Sequence, residues 1–189
     1  MGRLLCTVAV LAAAALTAPA ASDTLKDQTD ICADEQAGAD PRIDACTWLL
    51  QSEQLEPDSI PTILFNRGDA YRAKRQYDRA IEDYNQAIRL RPDDAGAFNN
   101  RGSIYEARGR NDFALQDYEE AIRLKPDHAN ALNNLAWLYA TDKDAQFRDG
   151  KRAVTLANKA VSLTDSAITR QILAAAQAEN GQFAAAVAE

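Results

Sequence analysis

The sequence is poor in the residues that most catalytic and metal sites need. Its 189 residues include one histidine, His128, together with three cysteines and one methionine. A histidine-based catalytic triad, or a metal site with several histidine ligands, therefore cannot form within one chain. The chain also has neither a Cys-x-x-Cys motif nor a glycine-rich phosphate-binding motif. We expect a protein that is not an enzyme and that holds no metal and no cofactor.

Glycine and proline are scarce as well, with eight and six copies, so no low-complexity linker divides the chain. With 47% hydrophobic and 26% charged residues, the composition suits one all-helical globular domain. The formal net charge at pH 7 is -7. That acidic balance argues against nucleic acid and anionic lipid surfaces as general partners.

Residues 1–21 have the pattern of a secretion signal. The positive start Met1-Gly2-Arg3 precedes an apolar stretch over residues 4–16, and Ala18-Pro19-Ala20 is the small-x-small pattern that signal peptidases cut. The apolar stretch is too short to span a bilayer as a stable helix. We predict a cleaved signal peptide, a periplasmic or secreted protein, and no membrane insertion after cleavage. Retention of the segment as an N-terminal membrane anchor is the alternative.

Two cysteines remain after the signal, an even number that agrees with an oxidising compartment. Cys32 and Cys46 are symmetric about residue 39, within a predicted Gly38-Ala39-Asp40-Pro41 turn. In an antiparallel helical hairpin, equal distances from the turn place two side chains opposite each other. The spacing therefore favours a disulfide, which in the chain-entropy model stabilises the fold by about 3 kcal/mol. Two buried free thiols are the alternative.

The chain repeats itself. Residues 61–94 align with residues 95–128 without a gap and match at 15 of 34 positions. A fixed period of this length indicates a solenoid of stacked units, and solenoids usually present surfaces to partners.

The matching residues are those that helix packing requires. Small residues let two helices approach, tyrosines fill the gaps between them, and a proline ends each unit. The pattern consists of Leu64, Gly68, Tyr71, Ala80, Tyr84, Ala87 and Pro92, and again of Phe98, Gly102, Tyr105, Ala114, Tyr118, Ala121 and Pro126. It resembles the signature of the tetratricopeptide repeat (TPR) family. The resemblance implies an all-α fold, a right-handed superhelical solenoid of antiparallel helix pairs.

Weaker copies of the pattern flank the two clear units. We expect a degenerate N-terminal hairpin over 22–60, with a first helix that reaches Ala37, and a third unit over 129–166 with a lengthened connection between its helices. A partial unit follows over 167–189. Its last residues, from Phe183 to Val187, are apolar, and such an end either frays or docks on a partner or a second copy.

Three asparagines recur at the same place in successive units. Asn66, Asn100 and Asn134 follow one another at intervals of one full repeat. By the TPR resemblance, this position faces the concave groove, where a carboxamide can match both the N–H and the C=O of a peptide backbone. The same resemblance places Phe65, Asn99, Asn133 and Trp137 in the groove. The alternative is that asparagine only suits a wet helix face.

The sequence thus predicts a non-catalytic exported adaptor, or scaffold, that binds a peptide segment or partner protein in its concave groove. A structural subunit is the alternative, forming a homo-oligomer or a membrane-associated assembly through the array ends and the convex face. An accessory to a secreted enzyme is a third function, which differs only in the identity of the partner.

Overall fold

The computed structural model describes residues 21–181. The predicted signal segment, apart from Ala21, and residues 182–189 lie outside this range. Short helices follow one another along the described chain, and two of the connections contain a 3-10 turn. The α-helices are α1 (Ala21–Ala33), α2 (Ala39–Gln51), α3 (Ile60–Ala73), α4 (Tyr77–Leu90), α5 (Ala95–Ala107), α6 (Asn111–Leu124), α7 (Ala129–Thr141), α8 (Gly150–Leu163) and α9 (Ala167–Glu179). The predicted all-α solenoid is confirmed.

Close approach of a glycine to a tyrosine ring sets the packing within each central pair of helices. A Cβ atom on Gly68 would lie 2.9 Å from Cε1 of Tyr84, and one on Gly102 would lie 2.9 Å from Cε1 of Tyr118. Both tyrosines are fully buried. Any larger residue at these positions would therefore separate α3 from α4, or α5 from α6, which is why the repeat keeps glycine there.

The first helices of successive units form the inner side of the stack. Side chains of α5 hydrogen-bond to α3 and those of α7 to α5, whereas in the described chain no side-chain hydrogen bond joins the second helices α4 and α6. Equivalent helices whose side chains meet across units lie on the shorter radius of a curved array. The side chains that join α3, α5 and α7 therefore line its concave face.

A buried ion pair joins the two helices of each central unit. The guanidinium of Arg67 donates to both carboxylate oxygens of Asp83 at 2.8 and 2.7 Å. Arg101 does the same to Asp117 at 2.9 and 2.6 Å. These arginines also donate to the second helix of the preceding unit, at Thr47 and Asn85 respectively. Each pair thus fixes both the hairpin and its stacking on the unit before it.

The third unit replaces this ion pair with apolar contacts. Leu135 stands at the position equivalent to Arg101, and it is 2% exposed in a cluster that Leu156 also joins. A desolvated ion pair adds little net stability compared with well-packed apolar residues. The leucines of the third unit therefore keep its core intact without the Arg–Asp pair. Residues 142–149 separate α7 from α8, five more than the connections 74–76 and 108–110, as the sequence predicts.

The N-terminal hairpin differs in detail from the prediction. Helix α1 ends at Ala33, before the predicted end at Ala37, since the Asp34 carboxylate accepts from the Gln36 backbone N–H and starts a turn. Pro41 lies inside the first turn of α2, where no N–H is required, and not in the connecting turn. The symmetry argument about residue 39 was therefore wrong.

The two cysteines are nevertheless joined. Cys32 and Cys46 form a disulfide between α1 and α2, with their Cα atoms 5.0 Å apart. Both residues are buried, and Leu49 and Ile63 complete the same cluster, so the bridge ties the first hairpin to α3.

The last described helix, α9, packs against both α7 and α8. It begins with a capping box, in which Ser166 and Thr169 exchange side-chain and backbone hydrogen bonds. Among the helices of residues 21–181, none combines the length and the apolar character that crossing a bilayer requires.

Candidate peptide-binding surface

Polar side chains of α3, α5 and α7 meet on the concave face. We call the side chains of Asn66, Asp69, Asn99, Asn100 and Asn134 the inner row. Asn66, Asn100 and Asn134 are half-buried, at equivalent positions of the three helices. The structure connects two of them to neighbouring units through hydrogen bonds, although not to one another.

A chain of hydrogen bonds crosses the three units. Asn134 Nδ2 donates to Asn99 Oδ1 at 3.1 Å, and Asn99 Nδ2 donates to Asn100 Oδ1 at 2.9 Å. Asn100 Nδ2 then donates to Asp69 Oδ1 at 2.8 Å, where the Tyr84 hydroxyl also donates at 2.5 Å. Apart from Asn66, the inner row is therefore a bonded network from α7 to α3, which fixes the carboxamide orientations of Asn99, Asn100 and Asn134.

Asn99 holds this network together from below the surface. It is 5% exposed, and its carboxamide is occupied on both sides by asparagines. It therefore orients Asn100 and Asn134 and offers little to a ligand itself. In the described part of the chain, the Asn66 side chain makes no hydrogen bond, so its carboxamide keeps its full bonding capacity.

The tyrosine hydroxyls reach the concave face from the second helices. Burial raises the pKa of Tyr84, and the Asp69 carboxylate adds to the rise. Tyr118 shows the same rise from burial, and its hydroxyl donates to Glu106 Oε2 at 2.6 Å. Both tyrosines thus remain protonated donors that hold a carboxylate of the inner side in place. Residue 103, the counterpart of Asp69, is serine, so the second unit uses Glu106 instead.

Glu106 lies beside a second carboxylate, in a concavity between α5 and the start of the long connection after α7. Burial raises the pKa of Glu106, and the nearby charge of Asp142 raises it further, against the opposing hydrogen bond from Tyr118. Asn111 donates to Asp142, and its own Oδ1 is buried with no hydrogen-bond partner among the described residues. No group of three or more His, Cys, Asp or Glu side chains in the described part of the chain could hold a metal ion.

The remaining predicted groove residues divide into packing and exposed side chains. Phe65 is half-buried against Tyr84, with ring centroids 5.9 Å apart, so it serves the core as much as the surface. Asn133 is half-buried, and its Oδ1 has no partner among the described residues. Trp137 is 39% exposed and offers an aromatic surface on α7.

A cavity of about 330 Å³ lies at the N-terminal end of the inner row. It is formed by α1, the end of α2, the connection 52–59 and α3. Its walls include Leu25, Cys32, Leu49, Leu55, Ile63 and Asn66. We call it the N-terminal cavity. Asn66 belongs both to this cavity and to the inner row, so the two are continuous.

Sequence reasoning missed two groups of residues that shape this surface. The Arg67–Asp83 and Arg101–Asp117 pairs were visible as identities between the two units but are not part of the repeat signature. The role of Asp69 as the acceptor for Asn100 and Tyr84 has no sequence signal, because the second unit has serine at the equivalent position.

Sequence profiles of known families match the central part of this chain. A profile described as "TPR repeat" matches residues 68–109, and two described as "Tetratricopeptide repeat" match residues 95–128 and 117–152. The chain is a tetratricopeptide repeat protein. Those ranges together run from residue 68 to residue 152, and they include every inner-row residue except Asn66. No curated protein sequence matches this TPR protein.

Solved structures share its fold. MamA from Desulfovibrio magneticus RS-1 superposes with a TM-score of 0.69 at 20% identity, over 88% of this chain and 90% of that chain. A tetratricopeptide repeat protein from Parabacteroides merdae ATCC 43184 has a TM-score of 0.70 at 19% identity, over 87% and 62%. A Thermobaculum terrenum O-GlcNAc transferase has a TM-score of 0.62 at 20% identity, over 75% of this TPR chain and only 26% of its own length. At these identities the likeness is one of fold.

Proposed function

We propose that this TPR protein is a non-catalytic adaptor that binds an extended segment of a partner protein on its concave face. The supporting observation is the hydrogen-bonded part of the inner row, which crosses three units and fixes the carboxamides of Asn99, Asn100 and Asn134 on one face. Asn100 uses one donor hydrogen and one acceptor lone pair inside the protein. A carboxamide has two of each, so one donor and one acceptor remain for a ligand.

This arrangement suits a peptide backbone. Neighbouring packed helices are about 8–10 Å apart, so α3 and α7 are separated by roughly 20 Å across two steps. An extended segment rises about 3.3 Å per residue and would span that distance with about six residues. Because the carboxamides of Asn100 and Asn134 are already oriented, binding at these two residues would cost little side-chain entropy. Trp137 at one end and the N-terminal cavity at the other would hold side chains of the ligand.

The proposal can be tested with selected peptides. Random twelve-residue peptides displayed on phage would be selected on the immobilised full chain, and the binders measured by fluorescence anisotropy. Asn66→Ala is the cleanest variant, because its side chain has no internal hydrogen bond to lose. We expect Asn66→Ala to weaken binding about fivefold, since a neutral hydrogen bond contributes about 1 kcal/mol. The triple variant with Asn100→Ala and Asn134→Ala should weaken binding at least tenfold.

Stability controls separate binding from folding. The triple variant also removes internal hydrogen bonds, so its melting temperature should fall while its helical circular dichroism is kept. Asn158→Ala, at an exposed position of α8, is the matched control and should change neither the peptide affinity nor the melting temperature. Peptides that bind the triple variant as tightly as the natural chain would contradict the proposal.

A structural subunit is the second candidate, and an exposed apolar residue favours it. Ile168 on α9 is 68% exposed, and Leu163 at the end of α8 is 44% exposed. Such residues could join two copies through the C-terminal end of the array. Light scattering of the full chain would then give a multiple of the monomer mass, and Ile168→Lys would reduce it. A monomeric mass for the natural chain would exclude this assembly.

We also propose that the protein is exported and acts in an oxidising compartment, periplasmic or extracellular. The pattern of residues 1–21 and the Cys32–Cys46 disulfide support this. Mass spectrometry of the protein from its native cell should find an N-terminus near residue 22. An intact Met1 on protein from the soluble cytoplasmic fraction would contradict export, and an intact Met1 on membrane-bound protein would favour the anchor.

A further inference from the structure

We infer that the N-terminal cavity selects the ligand, by binding a large apolar side chain that lies next to a lysine or arginine in the partner segment. This inference rests on the proposed peptide-binding function and names the sequence that the site prefers. Its basis is the lining of the cavity, the charge of its rim and its continuity with the inner row.

The cavity is apolar and of suitable size. Leu25 and Leu55 are half-buried around it, and Leu49 and Ile63 form its buried floor beside Cys32. A volume of about 330 Å³ holds one large aliphatic or aromatic side chain. The Cys32–Cys46 bridge fixes α1 against α2, so the wall is held in place before a ligand arrives. Binding an apolar group there would gain free energy in proportion to the area removed from water.

The rim carries negative charge. The connection 52–59 contains Glu53, Glu56 and Asp58 and has no basic residue. Glu56 and Asp58 line the cavity and are exposed, and neither makes an ion pair with any described residue. Arg91 reaches this rim, where it donates to the Asp58 carbonyl and the Thr62 hydroxyl rather than to these carboxylates. A lysine or arginine beside the apolar side chain of the ligand would complement this rim.

Asn66 sets the position of the ligand backbone. Asn66 lines the cavity, its carboxamide makes no hydrogen bond to the described residues, and it stands in register with Asn100 and Asn134 on the next two helices. A backbone bonded to Asn66 would therefore place one side chain in the cavity and continue along the inner row. The preferred partner is an extended segment with an apolar residue next to a basic one at one end, and with residues of little restriction along the inner row.

The phage-selected twelve-residue peptides provide the test. We expect the selected sequences to share a Leu, Ile, Met or Phe next to Lys or Arg. Ala33→Trp places an indole at the mouth of the cavity from an exposed position of α1, and it should weaken binding of these peptides at least tenfold. The double variant Glu56→Lys and Asp58→Lys should weaken binding about threefold at low salt, with less effect at 0.5 M salt.

Matched controls make the outcome specific. Glu82→Lys with Asp112→Lys reverses two exposed carboxylates on α4 and α6, outside the cavity, and should leave affinity within about twofold. As a second control, the apolar residue of a selected peptide is replaced by Ser. The affinity of this peptide for the natural chain should be as low as the affinity of the original peptide for the Ala33→Trp variant. Removing residues 182–189 should not change affinity.

Three results would overturn the inference. Selected peptides without the apolar–basic pair, or peptides insensitive to Ala33→Trp, would show that the cavity does not select. Tighter peptide binding after removal of residues 182–189 would show that the chain's own end occupies it. If affinity falls in the Asn66, Asn100 and Asn134 variants but not in the cavity variants, the proposed adaptor function stands without this inference. If affinity falls neither in the asparagine variants nor in the cavity variants, both the adaptor function and the inference are wrong.

Discussion

Arg75 and Gly109 occupy the same position in successive units, just after α3 and α5. Both have a left-handed backbone, with φ of 57° and 71°. The residue that follows each of them donates its N–H to the carbonyl of Tyr71 or Tyr105, as in a Schellman motif. Glycine suits this conformation, whereas arginine is strained in it.

We therefore expect Arg75→Gly to stabilise the protein. The free energy of unfolding should rise by about 0.5–1 kcal/mol, because relief of the left-handed strain is partly offset by the greater freedom of glycine in the unfolded chain. Gly109→Arg is the reciprocal control and should lower it by a similar amount. Urea unfolding measures both, and a loss of stability in Arg75→Gly would refute the argument.

We expect the free energy of unfolding to depend on pH through one residue, Glu106. A carboxyl whose pKa is raised on folding contributes stability that is complete below the unfolded pKa of about 4.3 and is lost as the pH rises through the folded pKa. Glu106→Gln keeps an acceptor for the Tyr118 hydroxyl and removes the charge beside Asp142. The variant should therefore gain stability relative to the natural chain as the pH rises from 4 to 8.

Urea unfolding at several pH values measures this difference. Glu35→Gln, at an exposed position on the turn after α1, controls for the loss of one negative charge. A difference between Glu106→Gln and the natural chain that does not vary with pH would show that Glu106 does not titrate in this way.

At the scale of the helix, the N-terminal caps of α5 and α7 differ in chemistry. The Asp94 carboxylate accepts from the Ala97 N–H at 3.1 Å, and His128 Nδ1, at the equivalent position of the next unit, accepts from the Ala131 N–H at 3.2 Å. A protonated imidazole has no acceptor at Nδ1. Burial lowers the pKa of His128, and the charge of Lys125 lowers it further, which agrees with a neutral cap.

His128→Asp should therefore strengthen α7 and remove a pH dependence. A group whose pKa is lowered on folding contributes stability above its unfolded pKa, about 6.5 for histidine, that is lost as the pH falls through the folded pKa. We expect His128→Asp to add about 0.5–1 kcal/mol at pH 7 and to retain stability better down to pH 5. Thermal melts at both pH values measure this. Asp94→His should make the stability of α5 fall in the same way between pH 7 and pH 5. If the natural chain and His128→Asp lose equal stability over this range, the proposed role of the His128 cap is wrong.

At the scale of the whole molecule, stability is local and passes between neighbouring units. The N-terminal hairpin depends on a covalent bridge, the central units on paired ions and tyrosines, and the third unit on leucines. A substitution in one unit should therefore lower the stability of that unit most, then that of its neighbours, and that of distant units least.

Removing the bridge tests this locality. Cys46→Ala should raise amide hydrogen exchange throughout α1 and α2, since the bridge contributes up to about 3 kcal/mol for a loop of this size. Exchange in α5 to α8 should be nearly unchanged. Non-reducing peptide mapping of the natural protein should find Cys32 linked to Cys46. A uniform rise in exchange over all helices would show that the array unfolds as one unit.

The sequence by itself determined the repeat, the helix pairs and the close packing of Gly68 and Gly102 against a second helix. These features follow from the spacing of small, aromatic and proline residues along one or two helices. Because the repeat length is constant, each unit has the same geometry. The sequence also paired Cys32 with Cys46, although the turn between their helices lies earlier than the pattern suggested. Caps and prolines move a helix end by several residues without altering its apolar face.

Only the tertiary structure decided which polar groups bond across units. Asn134 reaches Asn99 and not Asn100, its counterpart in the preceding unit, because the rotation between α5 and α7 selects the neighbour. The placement of α3 against α4 and α5 likewise brings Asn100 and Tyr84 within hydrogen-bond distance of Asp69. The N-terminal cavity arises where α1 packs beside the end of α2, the connection 52–59 and α3. Hydrogen bonds and cavities depend on angles and distances between helices to within an ångström, and a one-dimensional pattern does not contain that information.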